Sequence, residues 1–321
     1  MTRQTTRITC ALSLLAVVWH AICLSTALAG DEPKMRYVKL RIIAGQGSAP
    51  DRFAEELRGL AVDGSDRIYA VGDTKLAVFT PDGEFVCGWR TERPGYCVAV
   101  RADGTVYVGE EGQIEVFEPD GRRREVWRDP ERLGLVTAIG FAGEDVVIAD
   151  TQARCLRRYD QRGNWRSDLG KDNRMKGFLV PNRYLDFAVD ARGVIHAANA
   201  GMHRVQRFSV DGELLGEFGR FDGVDPAGFP GCCNPTNIAL TPRGQIVVTE
   251  KAGPRVKVYD AHGELVAVVA DNDFDPNCKN MDVVVDSRER IYVIDTTRLH
   301  VVVYEPQPAS ASAPAAKEAP R

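Results

Sequence analysis

Short apolar runs, separated by turns rich in Gly, Asp and Asn, recur along this chain in the same order. Each copy holds a first run, a turn, a second run ending in an acid or amide, a polar loop, and a third run ending in an aromatic before another turn. Copies start at Ala61, Ala99, Ile139, Phe187, Ile238 and Val283, and their closing aromatics are Phe79, Phe117, Tyr159, Phe208, Tyr259 and Tyr304. The aromatics lie 38, 42, 49, 51 and 45 residues apart, which is the repeat length of a four-stranded propeller blade. β-Branched runs bounded by turn residues predict strands throughout, and Asp82-Gly83, Asp120-Gly121 and Asp211-Gly212 predict tight hairpins. The expected fold is all-β: a six-bladed β-propeller of four-stranded antiparallel blades.

The sixth copy stops at Glu305, after its third strand. The run YVKLRIIAG from Tyr37 to Gly45 precedes the first copy and matches the fourth-strand pattern LLGEFG of blade 4. The N-terminal strand is therefore expected to complete the last blade and close the ring, leaving only short protected edges.

Residues 35–306 give about 45 residues per blade, and a hydrophobic content of 44% suffices to fill the spaces between sheets. Residues 1–29 read differently. Arg3 and Arg7 precede an apolar stretch from Ala11 to Leu24, and Ala27-Leu28-Ala29 before Gly30 has the form of an export-signal cleavage site. That stretch is too short for a membrane anchor, so no membrane span is expected in the mature chain. The expected destination is the periplasm or the medium. Cleavage removes two of 41 basic residues and none of 45 acidic ones, leaving a net charge of −6, which argues against a nucleic-acid partner. Residues 307–321 have the Pro, Ala and Ser bias of a disordered tail.

The phrases VGDTKLAVF, VIADTQARCLRRYD, NAGMHRVQRF and EKAGPRVKVYD resemble the repeat of the NHL propellers over about residues 35–306. The blocks GCCNPTN and EKAGPRVKVYD resemble those of uncharacterised exported bacterial NHL proteins. The resemblance implies a six-bladed ring. For function it implies several classes, since NHL propellers serve as binding platforms, as scaffolds and, in one branch, as a metal-dependent amidating lyase. The mature histidines, His196, His203, His262 and His300, all fall outside the predicted inner strands, so the three-histidine zinc site of that lyase is not expected. No GxSxG, phosphate loop, convincing Ser-His-Asp set or CxxCH appears.

Features shared by all copies are expected to be structural. Second strands end at Asp73, Glu110, Asp150, Asn199, Glu250 and Asp295, and Lys75, Gln113, Cys155, Arg204, Arg255 and His300 stand four residues before each closing aromatic. Such pairs across a loop contribute roughly 0.2 to 1 kcal/mol each. Arg204 and Arg255 are also candidates for the ring's binding surface.

What departs from the repeat gathers on the end of the ring where inner strands begin, here called the upper face. The inter-blade loops before blades 4 and 5 are the longest, and recognition concentrates on long loops over a rigid frame. Phe178, Arg183, Tyr184, Phe229 and Pro230 are the candidates there for a surface that takes a protein or small-molecule ligand; Phe178 and Phe229 have the alternative of packing the loops down. Asp186, Asn237 and Asp282 occupy one position in blades 4, 5 and 6, where Gly59, Cys97 and Ala138 stand in the others. Converging oxygens suit calcium or another hard divalent cation, and lactonases of the gluconolactonase and paraoxonase kind place Asp, Asn and Glu similarly. Six mature cysteines, Cys87, Cys97, Cys155, Cys232, Cys233 and Cys278, map to the upper face. In an oxidising compartment they suit disulfides, with Cys87 to Cys97 and Cys232 or Cys233 to Cys278 the expected pairs. The adjacent Cys232 and Cys233 do not both easily find strain-free partners, and a vicinal pair bridges itself only with a distorted backbone. Cys97, Cys232, Cys233 and Cys278 could instead hold zinc, copper or an iron-sulfur cluster. The leading expectation is a binding or assembly module working through its upper loops. The alternatives are a cation-dependent hydrolase and a cysteine-ligated redox or metal site.

Overall fold

The computed structural model describes residues 35–171, 177–251 and 253–307. The expected export signal and positions 308–321 of the tail lie outside the described residues. Six four-stranded antiparallel sheets stand in a ring. The inner strands are Gly59–Val62, Cys97–Val100, Val136–Ala142, Asp186–Val189, Asn237–Leu240 and Val283–Val285. Each touches the next, and the last touches the first. In blade 6 the strand Arg36–Ala44 pairs antiparallel with His300–Gln307 as the fourth strand, in a register running from Arg36 opposite Gln307 to Ala44 opposite His300. The final strand thus reaches one residue past the boundary drawn from the repeat.

The cores lie between blades, one cluster for each of the six interfaces. Second and third strands are buried on both faces, as in Ile68–Gly72 and Val106–Gly109, whereas outer strands such as Phe85–Arg90 are largely exposed. This explains the sequence pattern, because a strand sandwiched between neighbouring sheets reads as a continuous apolar run and an edge strand does not.

Two devices recur at the upper face. First, in five of the six blades the residue at the end of the second strand holds the loop arriving from the preceding blade, whereas Glu250 of blade 5 is bound by Arg255 and Lys257 instead. Asp73 accepts from the backbone N–H groups of Ala54, Glu55 and Glu56 at 2.7 to 3.1 Å. Glu110 accepts from Arg93, Asp150 from Gly134, Asn199 from Leu179 and Asp295 from Asp275, at 3.0 to 3.2 Å. The expected pairing with the base four residues before the aromatic forms only in some blades, as in Gln113 with Glu110 and Arg255 with Glu250. In blade 3 the partner of Asp150 is Arg157, since Cys155 carries no charge.

Second, four of these loops bury an aromatic anchor. Phe53, Phe178, Phe229 and Phe274 are all buried, and the last three pack on Phe208, Tyr259 and Tyr304 in turn. Phe178 and Phe229 each sit over a glycine with positive φ, Gly170 and Gly219, where a Cβ would come within 2.5 and 2.4 Å of the ring. They are therefore anchors that hold loops down, and neither presents a surface to a ligand.

Candidate functional site at the upper mouth of the channel

The inner strands enclose a central channel of about 340 Å³ with a largely aliphatic wall, including Val100, Val189, Leu240 and Val284. At its upper end, the position singled out by the repeat forms a chain of contacts from blade to blade. Cys97 Sγ approaches the carbonyl of Val136 at 3.7 Å. Thr137 Oγ1 donates to the carbonyl of Leu185 at 2.7 Å. Asp186 Oδ2 accepts from the N–H of Ile238 at 2.8 Å, Asn237 Nδ2 donates to Asp282 Oδ1 at 3.4 Å, and Asp282 Oδ2 accepts from the N–H of Leu60 at 2.7 Å. In blade 3 the contact comes from Thr137, one residue before the expected Ala138, because the register shifts by one between Val136 and Ala138 and inserts Thr137 as a bulge. Gly59 closes the circle without a side chain, since a Cβ there would lie 2.7 Å from the Cα of Cys97.

Asp186, Asn237 and Asp282 are thus brought together, but the carboxylates spend their oxygens sideways on backbone N–H groups. Asp186 Oδ1 accepts from Phe187 N–H and Asp282 Oδ1 from Val283 N–H, at 2.8 and 2.9 Å. Asn237 Oδ1 is the exception, a buried acceptor with no partner. Burial pushes the Asp186 carboxyl well above the usual carboxylate range, with the neighbouring Asp282 adding to the effect, and burial lifts Asp282 to about 6. The Cys97 thiol is also pushed up by burial.

A lid of side chains crosses above this layer. Tyr184, from the long loop before blade 4, reaches the carbonyl of Tyr96 before blade 2 at 3.3 Å, and Asn182 donates to Asn280 before blade 6 at 2.8 Å. Tyr184 is 8% exposed, and burial raises its phenol. Arg58 lies beside it with its guanidinium 3.9 Å from the centre of the Tyr96 ring and paired to Glu56. Above these side chains a groove of about 260 Å³ is lined by Glu56, Arg58, Tyr184, Lys279, Asn280 and Thr296. Arg58 Nη1 is a buried donor with no partner. Arg183, the residue before Tyr184, is exposed and has a left-handed backbone with φ of 60°.

Arg204 and Arg255 lie away from this groove and are committed to Glu217 and Glu250, at 3.1 and 2.9 Å. The lower end of the channel widens to a vestibule of about 760 Å³, where Asp63, Asp190 and Asp286 each tie down their own turn through backbone N–H groups. Sequence reasoning missed Arg58, Tyr96, Asn182 and Asn280. A signal existed for two of them, since Arg58 and Tyr96 immediately precede the inner strands of consecutive blades.

The six described cysteines are free thiols. Cys87 sits opposite Val78 on the exposed outer strand of blade 1, and Cys97 lies in the channel wall on the inner strand of blade 2, so the two stand at opposite radii of their sheets. Cys278 is buried and donates to Asp295 Oδ1 at 3.0 Å. Cys232 and Cys233 contact each other at 2.8 Å. Among the described residues, no three His, Cys, Asp or Glu side chains converge closely enough to hold a metal ion. No described helix is long and apolar enough to cross a membrane.

No family model and no curated protein matches this chain. Solved structures do. A catalytically inactive variant of virginiamycin B lyase from Staphylococcus aureus with quinupristin is similar at a TM-score of 0.56 and 11% identity, covering 85% of this chain and 99% of that one. The WD40 propeller domain of Doa1 is similar at 0.56 and 14%, over 87% and 100%. A structural genomics protein from Bacteroides thetaiotaomicron is similar at 0.61 and 13%, over 85% and 76%. At such identities the likeness is one of fold, and the chain is a six-bladed β-propeller that shares its architecture with lyases and WD40 domains alike.

Proposed function

We propose that this chain is an exported NHL-type propeller that acts as a binding or assembly module through its upper loops, taking a protein or small-molecule ligand in the groove over the channel mouth. The observation that carries this reading is Arg58 Nη1, a buried donor without a partner beside that groove. An unmet buried donor is costly, and a carboxylate or carbonyl from a ligand would satisfy it. Lys279 is a second cation lining the groove, where Glu55 and the Glu56 already paired to Arg58 balance the charge. The lower-face turn carboxylates, in contrast, are engaged by their own backbones.

The test is a thermal-shift and native mass-spectrometry screen of the full chain against peptides and small carboxylates. A ligand that stabilises the protein should lose its effect in Arg58→Gln and keep it in Arg204→Ala. Ligands that bind Arg58→Gln as well as the wild type would overturn the assignment.

A second reading rests on the unpartnered Asn237 Oδ1 beside two carboxyls. With Asp186 and Asp282 it supplies oxygen donors for a hard divalent cation, which would make the chain a metal-dependent hydrolase. Melting raised by calcium and no longer raised in Asp282→Ala would support it. Melting indifferent to calcium would exclude it.

A further inference from the structure

The adjacent thiols of the loop before blade 5 are unlike the other cysteines of the chain. Cys232 is exposed and Cys233 is buried, and their sulfur atoms are 2.8 Å apart. The pair is clamped in place. Asn234, fully buried, donates through Nδ2 to the carbonyls of Pro230 and Lys251 at 2.7 and 2.9 Å, and its Oδ1 accepts the N–H of Lys251 at 2.9 Å. This fastens the Cys-Cys step to the end of blade 5's second strand, where the Lys251 ammonium interacts with the Cys233 thiol. The hydrogen bond from Cys233 holds the Cys232 thiol below its ordinary value, with Lys251 acting in the same direction, while burial pushes Cys233 up. Cys97, Cys155 and Cys278 are buried and have their thiols pushed up, and Cys87 is exposed on an outer strand with no other cysteine in contact.

We propose that Cys232 and Cys233 form a two-thiol reactive site for low-molecular-weight disulfides, with Cys232 as the attacking sulfur and Cys233 as the resolving one. The Cys232 thiolate attacks one sulfur of the substrate disulfide, forming a mixed disulfide and releasing one thiolate. Cys233 then loses its proton and attacks the Cys232 sulfur, releasing the second thiolate. The two cysteines together give up two electrons and two protons, and the substrate leaves as two thiols. Exposure sets the order of events, since an incoming disulfide reaches Cys232 and not Cys233. Lys251 supports the first step by favouring the thiolate.

The experiment is incubation of the reduced full chain with glutathione disulfide, followed by acid quenching and peptide mass analysis. The wild-type peptide carrying both residues should end two hydrogens lighter and without glutathione. Cys233→Ser should stop at one glutathione on Cys232, and Cys232→Ser should leave Cys233 unmodified over the same time. Lys251→Gln should slow the first step roughly three- to tenfold near neutral pH, a readout that does not depend on altering the buried cysteine. Cys87 serves as the internal control, holding a stable mixed disulfide because it lacks a resolving neighbour. A glutathione adduct that persists on Cys232 in the wild type, or an oxidised bond from Cys232 to any cysteine other than Cys233, would overturn the proposal.

Discussion

Blade 2 carries a pair of buried acids where blades 3 and 5 carry an acid and a base, and this makes a sharp prediction about pH. In blade 5 Glu250 meets Lys257 at 2.6 Å, and in blade 3 Asp150 meets Arg157 at 3.0 Å. The same two places in blade 2 hold Glu110 and Glu115, both fully buried. Glu115 has compensation, accepting from Arg123 at 2.9 Å and from the N–H of Glu92 at 2.7 Å. Glu110 has only the neutral Gln113 amide at 2.5 Å and one backbone N–H at 3.2 Å. Burial, with Glu115 close by, pushes Glu110 up to about 8 from an ordinary 4.5.

Between those two values the folded protein holds a proton that the unfolded chain has released. The resulting stability is fully present below about 4.5 and is lost as pH rises through about 8. Each pH unit in that window costs up to about 1.4 kcal/mol, so the full effect has a ceiling on the order of 5 kcal/mol. Glu110→Gln keeps the shape and one donor but cannot ionise. Denaturant unfolding followed by circular dichroism at pH 5, 7 and 9 should show the variant gaining several kcal/mol on the wild type between the first and last points. Groups common to both proteins cancel in this difference. Parallel stabilities from pH 5 to 9 would refute the reasoning.

Other consequences follow from the same packing. Phe229→Ala should cost roughly 3 to 5 kcal/mol in denaturant unfolding and open the loop before blade 5 to protease, because a fully buried ring is removed from between Tyr259 and Gly219. A cost below about 1 kcal/mol would mean that the loop is not held by that ring. Lys257→Ala should cost roughly 1 to 3 kcal/mol by leaving Glu250 Oε1 buried without its partner while Arg255 still holds Oε2, and Lys257→Met combined with Glu250→Leu should recover most of it in the same assay. Deleting residues 36–44 strips the partner strand from His300–Gln307 and should give concentration-dependent association on size-exclusion chromatography.

The repeat made the ring legible because blade architecture is a local property. Runs of apolar residues, a turn every few positions and a closing aromatic encode strands and hairpins within about 45 residues, and Phe79, Tyr159 and Tyr259 stand buried where that pattern puts them. The functional guesses depended on contacts between blades, where the sequence was a weaker guide. Phe178 and Phe229 in sequence allow both a ligand-facing and a loop-packing role; glycines Gly170 and Gly219, eight and ten residues earlier, provide the hollows that bury them and decide for packing. The one-residue bulge that substitutes Thr137 for Ala138 is invisible to an alignment of repeats. The cysteines share a face of the chain's pattern yet sit at different radii, so Cys232 and Cys233, already neighbours in the chain, are the only two described cysteines found in contact.

Sequence alone therefore determined the number of blades, the order of strands within each and the layer in which Asp186, Asn237 and Asp282 lie, since all of these follow from short-range periodicity. Tertiary structure alone decided where their side chains turn, which loop crosses the channel, and that Arg58 is left with an unmet donor. Those outcomes depend on the distance between one blade's backbone and the next, a quantity set by packing around the whole ring and carried by no single repeat.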